Sequence, residues 1–118
     1  MERKKILLIE DDPSLVLALR YMLEDMGYEL VVAQDHEQAL SAIDGGPYAV
    51  AIVDYLVDNS PSSPLLAQLR RRYPQMPLIS STAAMPLQED AGHARPDALL
   101  LKPFGAEELR KTLRSLVD

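Results

Sequence analysis

The chain has 118 residues, a length that suits one compact domain able to bury most of its apolar side chains. Its net charge of −6 argues against direct nucleic-acid binding, and the absence of cysteine excludes disulfides, thiolate nucleophiles and cysteine-based zinc sites. No apolar run could cross a membrane and the N-terminal run is too short for a signal peptide, so we expect a soluble cytoplasmic protein.

Five short apolar runs predict β-strands. The first reads Ile-Leu-Leu-Ile without a polar residue, as expected for a strand that is buried on both faces of a parallel sheet. The second, third and fifth runs share this continuous apolar character, whereas the fourth begins with Leu-Ile and ends with two serines. The predicted strands cover residues 6–9, 30–33, 50–53, 78–81 and 98–101.

Amphipathic segments follow the strands. Asp12 and Pro13 predict the start of a first helix that ends near Gly27. Asp35 predicts the N-cap of a second helix, with Gln38 completing a capping box. A loop is predicted at 58–64, followed by a third helix that Pro74 ends. Two further helices are predicted within 85–94 and over 106–117. These strand–helix repeats predict a single α/β domain over residues 1–118, with a parallel sheet covered by helices on both faces.

Acids, hydroxyl groups and a lysine lie at the ends of four of the five predicted strands. Because ligands of such sheets bind beyond the carboxyl ends of the strands, we expect these side chains to converge on one edge. They are Glu10, Asp11 and Asp12 after the first strand, Asp54 after the third, Ser81 and Thr82 at the fourth, and Lys102 with Pro103 after the fifth.

The converging set predicts phosphoryl transfer to a carboxylate. Crowded carboxylates repel one another, and a bound Mg²⁺ would relieve that repulsion. Asp54 could then attack phosphorus to form an acyl phosphate, while Lys102 and the Thr82 hydroxyl stabilise charge on the phosphoryl oxygens. The alternative explanation, helix capping and solvation, fits Asp12. It does not account for suitable residues at the ends of four different strands.

These residues resemble the signature segments of response-regulator receiver domains, the phosphoacceptors of two-component signalling. The resemblance extends along the whole chain in the right order. It implies a doubly wound (βα)5 flavodoxin-like domain with a five-stranded parallel sheet in the order 2-1-3-4-5. The segments that carry it are 5–12, 51–54, 77–83 and 102–104.

The resemblance also implies roles and partners. A sensor histidine kinase or phosphotransfer protein would donate the phosphoryl group, and a downstream effector or fused output domain would respond. No enzymatic turnover is expected beyond slow hydrolysis of the acyl phosphate, and a homodimer formed on phosphorylation is left open. The implied site residues are Asp54 as phosphoacceptor, Thr82 as switch hydroxyl, Lys102 as phosphate contact, and Glu10, Asp11, Asp54 and the Leu56 backbone carbonyl as Mg²⁺ ligands.

Three features depart from the family pattern. No glycine lies between Asp54 and the third helix, Leu99 stands where the family has a switch aromatic, and Pro86 and Gly92 interrupt the fourth helical segment. The latter two features motivate an alternative hypothesis, an interaction module that binds partners whether or not it is phosphorylated. A Mg²⁺-dependent phosphohydrolase is a third hypothesis, although Leu56 occupies the position of such an enzyme's second acid.

Overall fold

The computed structural model describes residues 3–83 and 95–117. The strands are β1 Lys5–Ile9, β2 Glu29–Ala33, β3 Val50–Asp54, β4 Leu56–Val57, β5 Ser60–Pro61, β6 Leu78–Thr82 and β7 Ala98–Leu101. The helices are α1 Pro13–Asp25, α2 His36–Asp44, α3 Ser63–Arg72 and α4 Ala106–Val117. The helix predicted within 85–94 lies outside the described residues.

Five of the strands form one parallel sheet in the order β2-β1-β3-β6-β7. The short β4–β5 hairpin stands apart from it, so this order confirms the predicted 2-1-3-4-5 arrangement. Every residue of β3 and β6 is buried, which explains why their sequences lack the alternation of a half-exposed strand. Because all five strands run parallel, their carboxyl ends lie along one edge of the sheet.

Helices cover both faces of the sheet, as predicted. Successive residues of a strand point to opposite faces, so Leu7 packs on the side of α2 and α3 while Leu8 packs on the side of α1 and α4. Leu69 of α3 and Leu109 of α4 are fully buried against these two faces. None of the helices in the described part of the chain is long and apolar enough to cross a membrane.

Two aspartates begin the helices that follow β1 and β2. The Asp12 carboxylate accepts hydrogen bonds from two backbone N–H groups in the first turn of α1, which confirms the predicted cap. Asp35 accepts from the Gln38 N–H at 2.7 Å in the same way. The predicted capping box is wrong in detail, because the Gln38 side chain accepts from the backbone N–H of Gln34 rather than from that of Asp35.

The segment after β3 is more ordered than the predicted loop at 58–64. β4 and β5 pair as an antiparallel hairpin, with Leu56 opposite Pro61 and Val57 opposite Ser60. α3 begins at Ser63, inside that predicted loop. The loop prediction was wrong there because Pro64 interrupts a helix only in its interior, whereas in the first turn its missing N–H costs nothing.

Candidate functional site

Four strand ends bring the predicted site residues together. β1 and β3 are neighbours, and the register continues so that Asp54 at the end of β3 lies beside Ser81 of β6. The Lys102 N–H donates to the Thr82 carbonyl at 2.8 Å, which extends the β6–β7 ladder by one residue. Glu10 is similarly tied to β2, since its N–H donates to the Ala33 carbonyl at 3.0 Å. The site is thus positioned by backbone hydrogen bonds of the sheet.

Lys102 joins the two buried acids of the site. Its ammonium lies 3.1 Å from Glu10 Oε1 and 3.1 Å from Asp54 Oδ1. The Glu10 side chain is 3% exposed and that of Asp54 is 12% exposed, so each carboxylate depends on such contacts to offset the loss of water. Lys102 directly follows β7, and its side chain must pass over β6 to reach Asp54 on β3.

The surroundings shift the pKa values of Glu10 and Lys102. Burial raises the pKa of Glu10 above its usual range, more than the hydrogen bonds from the Asp12 N–H and from Lys102 lower it. Burial alone would lower the pKa of Lys102, but its hydrogen bonds to Glu10 and Asp54 outweigh that effect and the pKa is raised. Lys102 therefore carries its positive charge throughout the neutral pH range.

The acids of this edge fit a hard divalent cation. One carboxylate oxygen each from Glu10, Asp11 and Asp54 can be chosen so that all lie within 4.8 Å of one another. Mg²⁺ prefers such oxygen ligands and usually takes only one or two carboxylates from the protein. Asp11 is the most accessible of the three acids, and its Oδ2 accepts from the backbone N–H of Asp58 at 2.9 Å. The residues present therefore suit Mg²⁺ binding.

Thr82 and Leu56 stand close to this cluster. Thr82 is 5% exposed at the end of β6, one residue beyond the partner of Asp54. Because side chains alternate along a strand, Thr82 starts from the opposite face of the sheet to Asp54 and must turn to meet a phosphoryl group. Leu56 begins β4 two residues after Asp54, and its side chain is exposed. The metal-binding role of its carbonyl stays a prediction.

The hairpin after β3 supports the site through two contacts that sequence reasoning missed. The backbone N–H of Asp58 holds the Asp11 carboxylate. The His36 ring donates from Nε2 to the Val57 carbonyl at 3.0 Å, which fastens the hairpin to the start of α2. A backbone contact leaves no residue-type signal in the sequence. His36 lies in a helix rather than at a strand end, so no positional rule pointed to it.

Asp58 and Asn59 form the tip of this hairpin with left-handed backbones, at φ of 54° and 61°. Positive φ at both central residues is the geometry of a type I′ turn, which aspartate and asparagine tolerate better than other residues with a Cβ. These two residues replace the glycine that is missing from the segment.

We expect Asn59→Val to lower the free energy of unfolding by about 1–2 kcal/mol, because a β-branched residue is strained at this φ. Asn59→Gly should stay within about 1 kcal/mol of the parent, because glycine adopts this φ without strain. Urea unfolding of both variants measures the difference. Equal losses in the two variants would show that the backbone angle is not the cause.

Comparison with known proteins agrees with this geometry. The family model of the response regulator receiver domain matches residues 6–114. The transcriptional regulatory protein TcrA of Mycobacterium tuberculosis is 30% identical over 117 residues, which cover 95% of this chain and 45% of TcrA. The alkaline phosphatase synthesis transcriptional regulatory protein PhoP of Bacillus subtilis is 26% identical, with 97% of this chain and 48% of PhoP covered. The chain thus spans about half the length of these relatives.

Solved structures give the same picture. The receiver domain of the sensor histidine kinase PA1611 from Pseudomonas aeruginosa has a TM-score of 0.86 and 26% identity, with 98% of both chains covered. That structure holds a magnesium ion coordinated in its active-site cleft. The response regulator TrrA of Thermotoga maritima, solved in complex with Mg²⁺-BeF, has a TM-score of 0.85 and 26% identity over 96% of this chain and 98% of that one. With the fold, the strand-end acids and the lysine in place, the chain belongs to the response regulator receiver domain family.

Proposed function

We propose that this domain is a phosphorylation switch in which Asp54 accepts a phosphoryl group from a phosphohistidine of a sensor histidine kinase or phosphotransfer protein. The observation that carries the proposal is the bridge from Lys102 to both Asp54 and Glu10 at 3.1 Å, beside a carboxylate cluster suited to Mg²⁺. A basic group and a metal site that share two carboxylates, Glu10 and Asp54, form the arrangement expected where negative charge builds up during phosphoryl transfer.

In the proposed step an Asp54 carboxylate oxygen attacks phosphorus and forms a P–O bond. The bond from phosphorus to the donor nitrogen breaks, and its electron pair leaves with the imidazole. Lys102 already touches Asp54 and needs only a short movement to pair with a phosphoryl oxygen. Thr82 can turn its hydroxyl toward the same group. Mg²⁺, held by Glu10, Asp11 and Asp54 with the Leu56 carbonyl, would neutralise charge on the phosphoryl oxygens.

The product is a modified protein rather than a released molecule. The position two residues after Asp54 is Leu56, whose side chain can neither give nor take a proton. We therefore expect slow hydrolysis of the acyl phosphate and no turnover of small phosphomonoesters. The readout would be a change in contacts with a downstream effector or a fused output domain, since phosphoryl binding biases one conformer of the β6–β7 region.

A second candidate function is an interaction module that works without phosphorylation. The observation in its favour is the outer face of β7, where Leu99 and Leu101 are 39% and 42% exposed. Leu99 occupies the family's switch-aromatic position and cannot supply the usual ring movement. Partner affinity that is the same with and without beryllofluoride, a phosphoryl mimic, would support this candidate over the switch.

The proposal is tested by incubating the protein with acetyl phosphate and Mg²⁺ and measuring its intact mass. We expect an added phosphoryl group that requires Mg²⁺ and is absent when EDTA is present, because the crowded carboxylates need the cation before they can approach a phosphate. Peptide mapping should place the group on Asp54. No added mass at any Mg²⁺ concentration would contradict the proposed function.

A further inference from the structure

Ser81 carries a buried hydroxyl that the sheet does not use. The residue is 2% exposed at the end of β6, and its Oγ has no hydrogen-bond partner among the residues that the structure describes. Buried hydroxyl groups are almost always paired, because an unpaired one gives up its water contacts without compensation. An unpaired hydroxyl in this place is therefore an exception that calls for a physical reason.

The register places Ser81 beside the phosphoacceptor. Ser81 and Asp54 are direct partners in the β3–β6 ladder, and paired residues of adjacent parallel strands point to the same face of the sheet. Leu100, two residues before Lys102, is the partner of Ser81 on the other side. Lys102 therefore crosses β6 near Ser81 on its way to Asp54.

In the unphosphorylated protein the charged groups near Ser81 form hydrogen bonds with one another. Lys102 donates to Asp54 Oδ1 and to Glu10 Oε1, so these groups are already paired. Phosphorylation changes this balance, because a phosphoryl group adds three strong acceptor oxygens at Asp54 and can draw Lys102 away from the carboxylate. A hydroxyl on the same face, one strand away, can then find an acceptor that it lacked before.

We propose that Ser81 Oγ is an additional hydrogen-bond donor to the phosphorylated Asp54 side chain, unpaired before phosphorylation and paired afterwards. This inference rests on the proposed function. It assigns a role to Ser81 that is separate from that of Thr82, which lies on the opposite face of β6. Gaining a hydrogen bond only in the phosphorylated form makes that form more favourable and lengthens its lifetime.

The test is the affinity for beryllofluoride in saturating Mg²⁺, measured by fluorescence of the tyrosines or by calorimetry. Ser81→Ala should weaken this affinity roughly ten-fold, the scale of one hydrogen bond to a charged acceptor. Ser81→Thr keeps the hydroxyl and should restore most of the affinity. Ser80→Ala makes the same change one residue earlier, on the opposite face, and should bind as the parent does.

A merely structural role for Ser81 predicts a different result. It predicts that Ser81→Ala unfolds at lower urea concentration without beryllofluoride, whereas we expect no loss of stability because the variant removes an unpaired buried group. Parent-like beryllofluoride affinity in Ser81→Ala would overturn the inference and leave the proposed function standing. A parent protein that binds Mg²⁺ but no beryllofluoride would overturn both.

Discussion

We expect Asp54→Asn to take up no measurable phosphoryl group from acetyl phosphate. The rate of phosphorylation should fall by at least roughly 10³-fold, as is typical when a covalent nucleophile is removed. The amide has nearly the shape of the carboxylate but lacks its charge and its nucleophilic oxygen. Asp54 is the last residue of the buried strand β3, and we expect its neighbours Glu10 and Asp11 to bind the metal rather than to accept the phosphoryl group in its place. Intact mass after incubation with acetyl phosphate and Mg²⁺ measures the loss.

Asp58→Asn is the matched control, because it makes the same chemical change four residues further along the chain. Asp58 is exposed, and its contact with the site is the hydrogen bond from its backbone N–H to Asp11, which the substitution keeps. Asparagine also tolerates the left-handed φ of 54° at this position. The control should be phosphorylated at close to the parent rate. Phosphoryl uptake by Asp54→Asn at a rate near that of this control would refute the assignment of the phosphoacceptor.

Much of this site could be predicted from the sequence, because it follows from the fold class. Continuous apolar runs indicate a parallel sheet, and a parallel sheet places the residues after its strands on one edge. Glu10, Asp54 and Lys102 are far apart in the chain, yet each directly follows or ends a strand of the parallel sheet. Their convergence therefore needed no knowledge of any distance, and the 3.1 Å contacts of Lys102 confirm it.

The supporting contacts could not be predicted in this way. The hydrogen bond to the Asp11 carboxylate comes from the backbone N–H of Asp58, and it depends on two left-handed residues at the hairpin tip. The start of α3 at Ser63 depends on whether Pro64 stops a helix or begins one, and composition alone leaves both open. Such details are set by local backbone geometry rather than by the hydrophobic pattern.

Ser81 shows a third kind of gap between sequence and structure. Ser81 is one of three successive hydroxyl-bearing residues in β6, and its function depends on whether its hydroxyl is paired. Only the register that places it beside Asp54, together with the missing partner within the described residues, separates a functional group from a small packing residue. Counting the parallel register from β3 to β6 would have been the available signal.

We expect Lys102→Met to lower the free energy of unfolding by about 2–3 kcal/mol in the absence of divalent metal. The variant keeps the apolar stem but leaves the carboxylates of Glu10 and Asp54 close together without the cation that now bridges them. The loss should not exceed the lower limit of the range of about 3–5 kcal/mol for fully buried pairs, because the Lys102 side chain is 24% exposed. Phosphorylation by acetyl phosphate should also slow by roughly 10²-fold, since a positive charge facing the phosphoryl oxygens is removed.

Saturating Mg²⁺ should restore most of the stability of Lys102→Met, because the bound cation replaces the positive charge that the variant lacks beside the two carboxylates. Since Lys102 contacts two carboxylates that the metal also needs, Mg²⁺ should bind more tightly to the variant and stabilise it more than the parent. Urea unfolding with Mg²⁺ and with EDTA measures both effects, and Lys111→Met on the exposed side of α4 is the matched control. A stability loss that is equal with and without Mg²⁺ would mean that Lys102 acts through the packing of its stem. A loss of stability that Mg²⁺ reverses would mean that the Lys102 ammonium supplies, in the unphosphorylated domain without metal, the positive charge that Mg²⁺ otherwise provides.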